Sequence, residues 1–465
     1  MLVKLWPAVF ALLAMTSAAD ALSLEQAVRR AVLTNPAIGE AAANRRATSY
    51  ELRQSQGALL PQIRVQADIG PERSRQLDLN VASSRSDFNN GQQANVVVRQ
   101  LIFDGFATTN EIWRSVARVD ASSWRVQERS ELVALDTVQS YTDILRLRDM
   151  IAQADRNIAV HRKLLSDVEA RFEGGRAGRG DRDQVQERVF AAEAARAELE
   201  QRLGEGIALF RRAVGQDPAR LSWPARPKGL PPSRAAALDL ALSRNPTLQA
   251  AGSDLDAVRA QRQAANGTNL PTVALEGRAE YGKNTRDNVG RYNELSAKLS
   301  ASWQIYSGGT DTARQFELAE RVTEQSLRFD VLRRQANESI DRAWSTRAAF
   351  NDRIRALTNQ VAAAERVINA YRSEYDLGQR TLLDLLNAEQ SRYNAQVGLI
   401  NARGLALFSD YQILAATGTL LAALKVSAPG EASNDMRGLS TTRTSLPTFD
   451  LVPKPPVEIL PAKGN

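Results

Sequence analysis

The chain has 465 residues, a formal net charge of +7 at pH 7, no cysteine and one histidine, His161. The missing cysteines exclude disulfides, thiolate metal sites and cysteine nucleophiles. A lone histidine, which we expect to be solvated, disfavours a metal site and a Ser-His-Asp triad, so nothing indicates an enzyme. Basic and acidic residues are interspersed without an aromatic–basic platform, which argues against nucleic-acid binding.

The first 21 residues are interpreted as a signal peptide. A lysine precedes a short apolar run, and Ala19-Asp20-Ala21 has the small-x-small pattern that signal peptidase cleaves. The run is shorter than the roughly 20 residues that span a bilayer. No long apolar run follows, so entry into a membrane would require β-strands closed into a barrel.

The rest of the chain contains an internal duplication. The pair Asn35-Pro36 recurs as Asn245-Pro246, 210 positions later, and a Leu-Pro pair recurs at the same offset. Later landmarks keep an offset of 203, so one length change of seven residues relates the halves. We predict a first repeat at 22–217 and a second at 233–424, each ordered helix, strand, strand, long helix, turn, helix.

Each repeat contains one very long predicted helix. The segments 106–172 and 310–375 lack glycine and proline and are rich in good helix formers. At about 1.5 Å per residue, a continuous helix of this kind would be roughly 100 Å long. That length predicts coiled-coil-like packing rather than a globular bundle.

Alternation of apolar and polar side chains predicts four strands, at 62–70, 94–103, 272–282 and 294–305. Four strands cannot close on themselves, and lipid tolerates no unpaired strand edge. The chain must therefore share a barrel with copies of itself. Two copies would give eight strands and a filled interior, whereas three would give twelve and leave room for a passage.

Two segments have neither helical nor strand character. Residues 218–232 contain five prolines and are predicted to link the repeats. Residues 425–465 are rich in Pro, Ser, Thr and Gly, and we predict a flexible tail there.

Over residues 22–424 the chain resembles the TolC family of outer-membrane efflux and secretion proteins. The motifs that carry the resemblance are the duplicated Asn-Pro and Leu-Pro pairs, the strand exits 102–105 and 305–308, and the run 375–384. The resemblance implies a mainly α-helical homotrimer, with a twelve-stranded β-barrel in the outer membrane and a twelve-helix α-barrel in the periplasm. It also implies docking on a periplasmic adaptor, an inner-membrane transporter as energy source, and no cofactor.

The resemblance places a gate at the far end of the helical tube. Asp384 matches a pore-lining carboxylate, and three copies would form a ring that attracts cations. The family's second aspartate is Asn387 here, which implies weaker cation block. Tyr375 and Arg380 match residues that hold neighbouring helices closed, with Asp181 as the matching acceptor. The alternative for both aspartates is helix N-capping after a turn.

The two helix-turn-helix tips are the predicted adaptor-docking surface, with Arg176, Arg179 and Gly378 as its candidate residues. The first tip, 174–182, is basic and glycine-rich, but no Gly-Lys-Ser/Thr follows it. It therefore lacks the pattern of a phosphate-binding loop.

The sequence leaves two choices open, one between a channel and a periplasmic adaptor, and one between secretion and efflux. A periplasmic adaptor also joins helical hairpins to β-structure, although it would show one hairpin rather than two. Within the family, the chain could serve type I protein secretion or small-molecule efflux. The absence of a cysteine for lipid attachment favours secretion, with an ABC-type transporter as partner.

Overall fold

The computed structural model describes residues 22–78, 83–218, 220–285 and 288–433. The predicted signal peptide and most of the predicted tail lie outside these residues. The helices and strands follow in the order α1 (Leu24–Thr34), α2 (Pro36–Gly57), β1 (Gln62–Asp78), β2 (Ser83–Phe103), α3 (Ala107–Glu173), α4 (Arg179–Val214), α5 (Arg234–Arg244), α6 (Pro246–Ala265), β3 (Thr272–Thr285), β4 (Asn288–Ser302), α7 (Thr310–Asp376), α8 (Leu382–Ala416) and α9 (Leu420–Ala423). The predicted duplication of helix, strand, strand, long helix and helix is confirmed.

The recurring Asn-Pro pair explains why each repeat begins with a broken helix. Proline lacks the N–H that a helix interior needs, but it suits the first helical position. The side chain of Asn245 accepts hydrogen bonds from the N–H groups of Thr247 and Leu248 at 2.9 and 3.3 Å. Asn35 accepts in the same way from Ala37 at 3.0 Å. One helix therefore ends and the next begins at each pair.

The chain forms two compact units. The first comprises 22–39, 129–244 and 336–428 and is helical. Its main core surrounds Tyr141 and Phe210, both fully buried. The hydroxyl of Tyr141 lies 2.8 Å from the carbonyl oxygens of Leu22 and Ser222, which fastens the linker and the start of the first repeat to α3.

The second unit comprises 40–128, 245–335 and the segment that follows 428. It contains one antiparallel sheet in the order β1-β2-β3-β4, so each strand pairs with its neighbour in sequence. A separate apolar cluster joins its helices around Ile112, Trp113 and Val116.

The strands differ from their predicted bounds. All four extend further toward the hairpin turns than predicted, because the sequence there lacks the alternation of apolar and polar residues that marks a strand. At its other end β4 stops at Ser302, not at Ile305. Ser302 pairs with Thr272, the first residue of β3, so the residues beyond it have no partner strand.

The predicted tail begins too early. Val426 is buried in the core of the first unit. Glu431, in the second unit, forms a salt bridge with Arg46, and Ala432 is buried. The stretch 425–433 is therefore anchored to the folded part of the chain through Val426, Glu431 and Ala432.

A helix that crosses a bilayer must be both long and apolar. None of the described helices combines enough length with enough apolar character to cross a membrane.

Candidate gate at the hairpin tips

The first unit contains two helical hairpins, α3–α4 and α7–α8, whose turns have the same backbone design. Gly175 and Gly378 adopt φ values of 68° and 74°, the left-handed region that favours glycine. The next N–H in each turn closes back on the preceding helix, from Arg176 to the Arg171 carbonyl at 2.7 Å and from Gln379 to the Glu374 carbonyl at 2.8 Å. Both ends are Schellman-type helix terminations.

The two hairpins share an apolar cluster just above their turns. Its buried members come from α3, α4 and α8 and are Leu164, Val168, Val185, Leu382, Leu385 and Leu386. Tyr371 and Tyr375 of α7 pack against it. The tips are therefore joined by packing as well as by polar contacts.

Asp181 and Asp384 occupy equivalent positions in the first turns of α4 and α8. The carboxylate of Asp181 accepts a hydrogen bond from the Gly178 N–H at 3.1 Å. Asp384 accepts from the Thr381 hydroxyl at 2.7 Å, while its N–H donates to that hydroxyl at 3.2 Å. Within one chain both aspartates act as helix caps, the alternative role suggested by the sequence. Both remain half-exposed, and Asn387 is exposed one turn later.

At the tips, Arg171 of α3 makes a polar tie to α7 that the sequence did not single out. Its guanidinium donates to Asp376 at 2.9 Å and lies 4.5 Å from the ring centroid of Tyr375. In the described part of the chain Tyr375 makes no hydrogen bond with Asp181, so the expected Tyr375–Asp181 tie is replaced by this contact. The duplication does not single out Arg171, because its counterpart at the offset of 203 is Glu374, a residue of opposite charge.

Arg380 makes its contacts within its own hairpin. It donates to Glu374 at 2.8 Å and stacks over Tyr371, with 4.2 Å between the guanidinium carbon and the ring centroid. It reaches no residue of the first tip among those described. The predicted docking residues Arg176, Arg179 and Gly378 are all exposed at the turns.

His161 contradicts the expectation of a solvated side chain. It is 1% exposed on α3, and in the described residues neither ring nitrogen has a hydrogen-bond partner. Burial lowers its pKa, and the neighbouring charges of Arg188 on α4 and Arg392 on α8 lower it further, while Glu187 opposes them. Periodicity along α3 alone could not reveal this burial, because two other helices supply it.

Replacing His161 with leucine is expected to remove an acid-dependent loss of stability. The folded state holds the histidine pKa below its ordinary value of about 6.5, so the unfolded chain binds the proton first as the pH falls through that value. The free energy of unfolding should therefore fall on acidification in the wild type and fall less in the variant. Thermal unfolding in detergent, followed by circular dichroism at pH 7.5 and 5.5, measures the change in stability of the wild type and of the variant. An equal acid shift in the two proteins would contradict the assignment.

Metal binding finds no support in the described residues, where no three His, Cys, Asp or Glu side chains are grouped to hold an ion.

Comparison with known proteins identifies the family. A family model described as outer membrane efflux protein matches residues 27–216 and 237–419, one segment in each repeat. The chain belongs to the outer membrane efflux protein family. It is 26% identical to the outer membrane efflux protein BepC of Brucella suis, over 72% of this chain and 74% of BepC. It is also 26% identical to the alkaline protease secretion protein AprF of Pseudomonas aeruginosa, over 74% of each.

The fold agrees with this membership. The crystal structure of VceC, an outer-membrane protein of Vibrio cholerae, superposes with a TM-score of 0.75 at 17% identity, covering 85% of this chain and 96% of VceC. Members of the outer membrane efflux protein family are passive channels that work with adaptors and inner-membrane transporters. The predicted fold class, the outer-membrane location and the absence of enzymatic activity are confirmed, and the periplasmic adaptor alternative is excluded.

Proposed function

We propose that this chain is the exit duct of a type I secretion system, with protein cargo delivered by an ABC-type transporter through a periplasmic adaptor. The observation that carries the proposal is the likeness to AprF, named for protease secretion, over 74% of each chain. The cysteine-free sequence supports it, since it offers no site for a lipid anchor. The likeness to BepC, named for efflux, favours small-molecule efflux as the second candidate.

The proposed assembly is a homotrimer. The sheet ends in two open strands, β1 and β4, which need partners from other copies. The N-terminal part of α7 supports the same conclusion. Three of its large apolar residues, Phe316, Leu327 and Val331, are 70, 61 and 52% exposed. Their spacings of 11 and 4 place them on one helix face, which we call the α7 stripe.

The proposed gate is the ring of six hairpin tips in that trimer. Asp384 would supply a carboxylate ring near the axis, and Arg171, Tyr375 and Asp376 would hold each pair of hairpins together. Arg176, Arg179 and Gly378 would face the adaptor. The repeats 22–217 and 233–424 would each contribute one hairpin to the ring.

Deletion of the gene distinguishes the two candidate functions. Under the secretion proposal, one or more proteins should disappear from the culture medium, and susceptibility to small toxic molecules should stay unchanged. Complementation with the wild-type gene should restore the missing proteins. An unchanged set of secreted proteins combined with higher drug susceptibility would reject secretion and favour efflux.

A further inference from the structure

The two faces of the four-stranded sheet have different chemistry. One face carries apolar side chains that are exposed in the subunit, among them Ile63, Val65, Leu295 and Leu299. In a membrane barrel such a face meets lipid, and the alternate residues line the lumen. The strand register then assigns each polar side chain to a level along the passage. This step rests on the proposed trimeric barrel.

The two levels nearest the helices are basic. The first row across the strands is Gln62, Arg99, Glu276 and Lys298, with a net charge of +1. The second row is Arg64, Val97, Arg278 and Ser296, with a net charge of +2. Together these rows form the basic band.

The next two levels, toward the hairpin turns, are acidic. The third row is Gln66, Asn95, Glu280 and Glu294, with a net charge of −2. The fourth row is Asp68, Gln93, Gly282 and Tyr292, with a net charge of −1. Together these rows form the acidic band.

The acidic band is stabilised by specific contacts. Glu280 and Glu294 are direct cross-strand partners, an arrangement of like charges that destabilises a sheet. Glu280 accepts hydrogen bonds from Gln93 at 2.8 Å and from the Tyr292 hydroxyl at 2.7 Å. Its carboxylate also forms an ion pair with Arg278 of the basic band at 3.4 Å, so these two charges offset each other at the boundary between the bands. Tyr292 reaches Glu280 by crossing Gly282, where a Cβ atom would lie 2.1 Å from the tyrosine ring. The glycine therefore makes room for a donor to the carboxylate.

With the Arg278–Glu280 pair discounted, each subunit keeps a net charge of +2 in the basic band and −2 in the acidic band. The centres of the two bands are far enough apart for these remaining charges to act separately on a passing ion. Their centres are four residues apart along a strand, which is roughly 13 Å. The Debye length at physiological ionic strength is about 8 Å. An ion within one band therefore experiences mainly the charge of that band.

We infer that the barrel lumen selects its cargo by two successive charged bands, basic toward the periplasm and acidic toward the outside. A small ion of either sign is attracted by one band and repelled by the other. A polypeptide segment with side chains of both signs is attracted by each band in turn. The inference thus gives the proposed secretion duct a substrate class, polypeptides of mixed charge.

Single cysteines in this cysteine-free chain can measure the potential of each band. Ser296→Cys reports on the basic band and Gln66→Cys on the acidic band. Intact cells are treated separately with an anionic and a cationic methanethiosulfonate reagent, and each rate is divided by the rate for a free thiol. The anionic reagent should be favoured about fivefold or more at 296 and the cationic reagent by a similar factor at 66. Access from outside makes the result independent of the gate.

Charge variants and a lipid-facing control complete the test. Adding Arg64→Gln should bring the ratio of the anionic to the cationic reaction rate at 296 toward one. Adding Glu294→Gln should bring the same ratio toward one at 66, whereas Glu294→Asp should leave it unchanged. Ala297→Cys, on the apolar face, should react with neither reagent. Reaction at 66 and 296 without charge preference would overturn the two-band inference. Reaction at 297 but at neither 66 nor 296 would overturn the proposed barrel itself.

Discussion

Replacing Arg171 with glutamine is expected to raise the resting conductance of the purified channel about tenfold or more. The substitution removes both the ion pair with Asp376 and the contact with the Tyr375 ring. A half-exposed ion pair and a cation–π contact together contribute roughly 1 to 2 kcal/mol per subunit. In a trimer whose tips open together, three copies would shift the equilibrium by roughly 3 to 6 kcal/mol, and each 1.4 kcal/mol is about tenfold.

Two variants serve as controls in the same planar-bilayer recordings. Arg162→Gln removes an exposed ion pair between α3 and Glu193 of α4, which lies within one hairpin and should leave the resting conductance unchanged. Asp384→Ala should mainly weaken block by divalent cations, because it removes a charge without separating the hairpins. If Arg171→Gln and Asp384→Ala both behaved like the wild type, the gate would lie elsewhere and Asp384 would be only a helix cap.

A double substitution in the α7 stripe, Leu327→Glu with Val331→Glu, is expected to abolish the trimer. Both side chains are exposed in the isolated subunit, so the charges should not disturb the fold of one chain. In the trimer they would have to be buried between subunits without partners, three times over, at a cost of several kcal/mol for each buried charge. Size-exclusion chromatography with light scattering in mild detergent measures the oligomer.

Conservative substitutions at the same positions separate charge from shape. Leu327→Met with Val331→Ile keeps the stripe apolar and should retain the trimer. Circular dichroism should show native helix content for both variants. A trimer that survives the two glutamates would show that the stripe faces something other than a neighbouring subunit.

Features encoded by neighbouring residues could be predicted from the sequence. The Asn-Pro helix breaks and the glycine-terminated hairpins depend on backbone chemistry within a few residues, and each appears twice. The absence of glycine and proline likewise defined the long helices, with ends within a few residues of those observed. The positions of Asp181 and Asp384 in the first turns of their helices likewise depend on residues a few positions away.

Features that depend on distant segments could not be predicted in this way. His161 is buried because α4 and α8 cover it, and Arg171 meets Tyr375 only because the two hairpins pack together. The polar ends of the strands were missed because hydrogen bonding to a neighbouring strand, not alternation, holds them. The pattern of residues along one segment does not show which distant segments pack against it.

The contact of Leu22 with the linker bears on how a gene for one repeat could have been duplicated. Its N–H donates to the Arg220 carbonyl at 2.8 Å, and Leu22 forms a parallel bridge with Leu221. The start of the first repeat therefore lies beside the linker that follows its end. A second copy can be joined to such a repeat by a short connector, without rearranging the first. An ancestor encoding a single repeat would have needed six separate chains to surround the passage that we propose three now enclose.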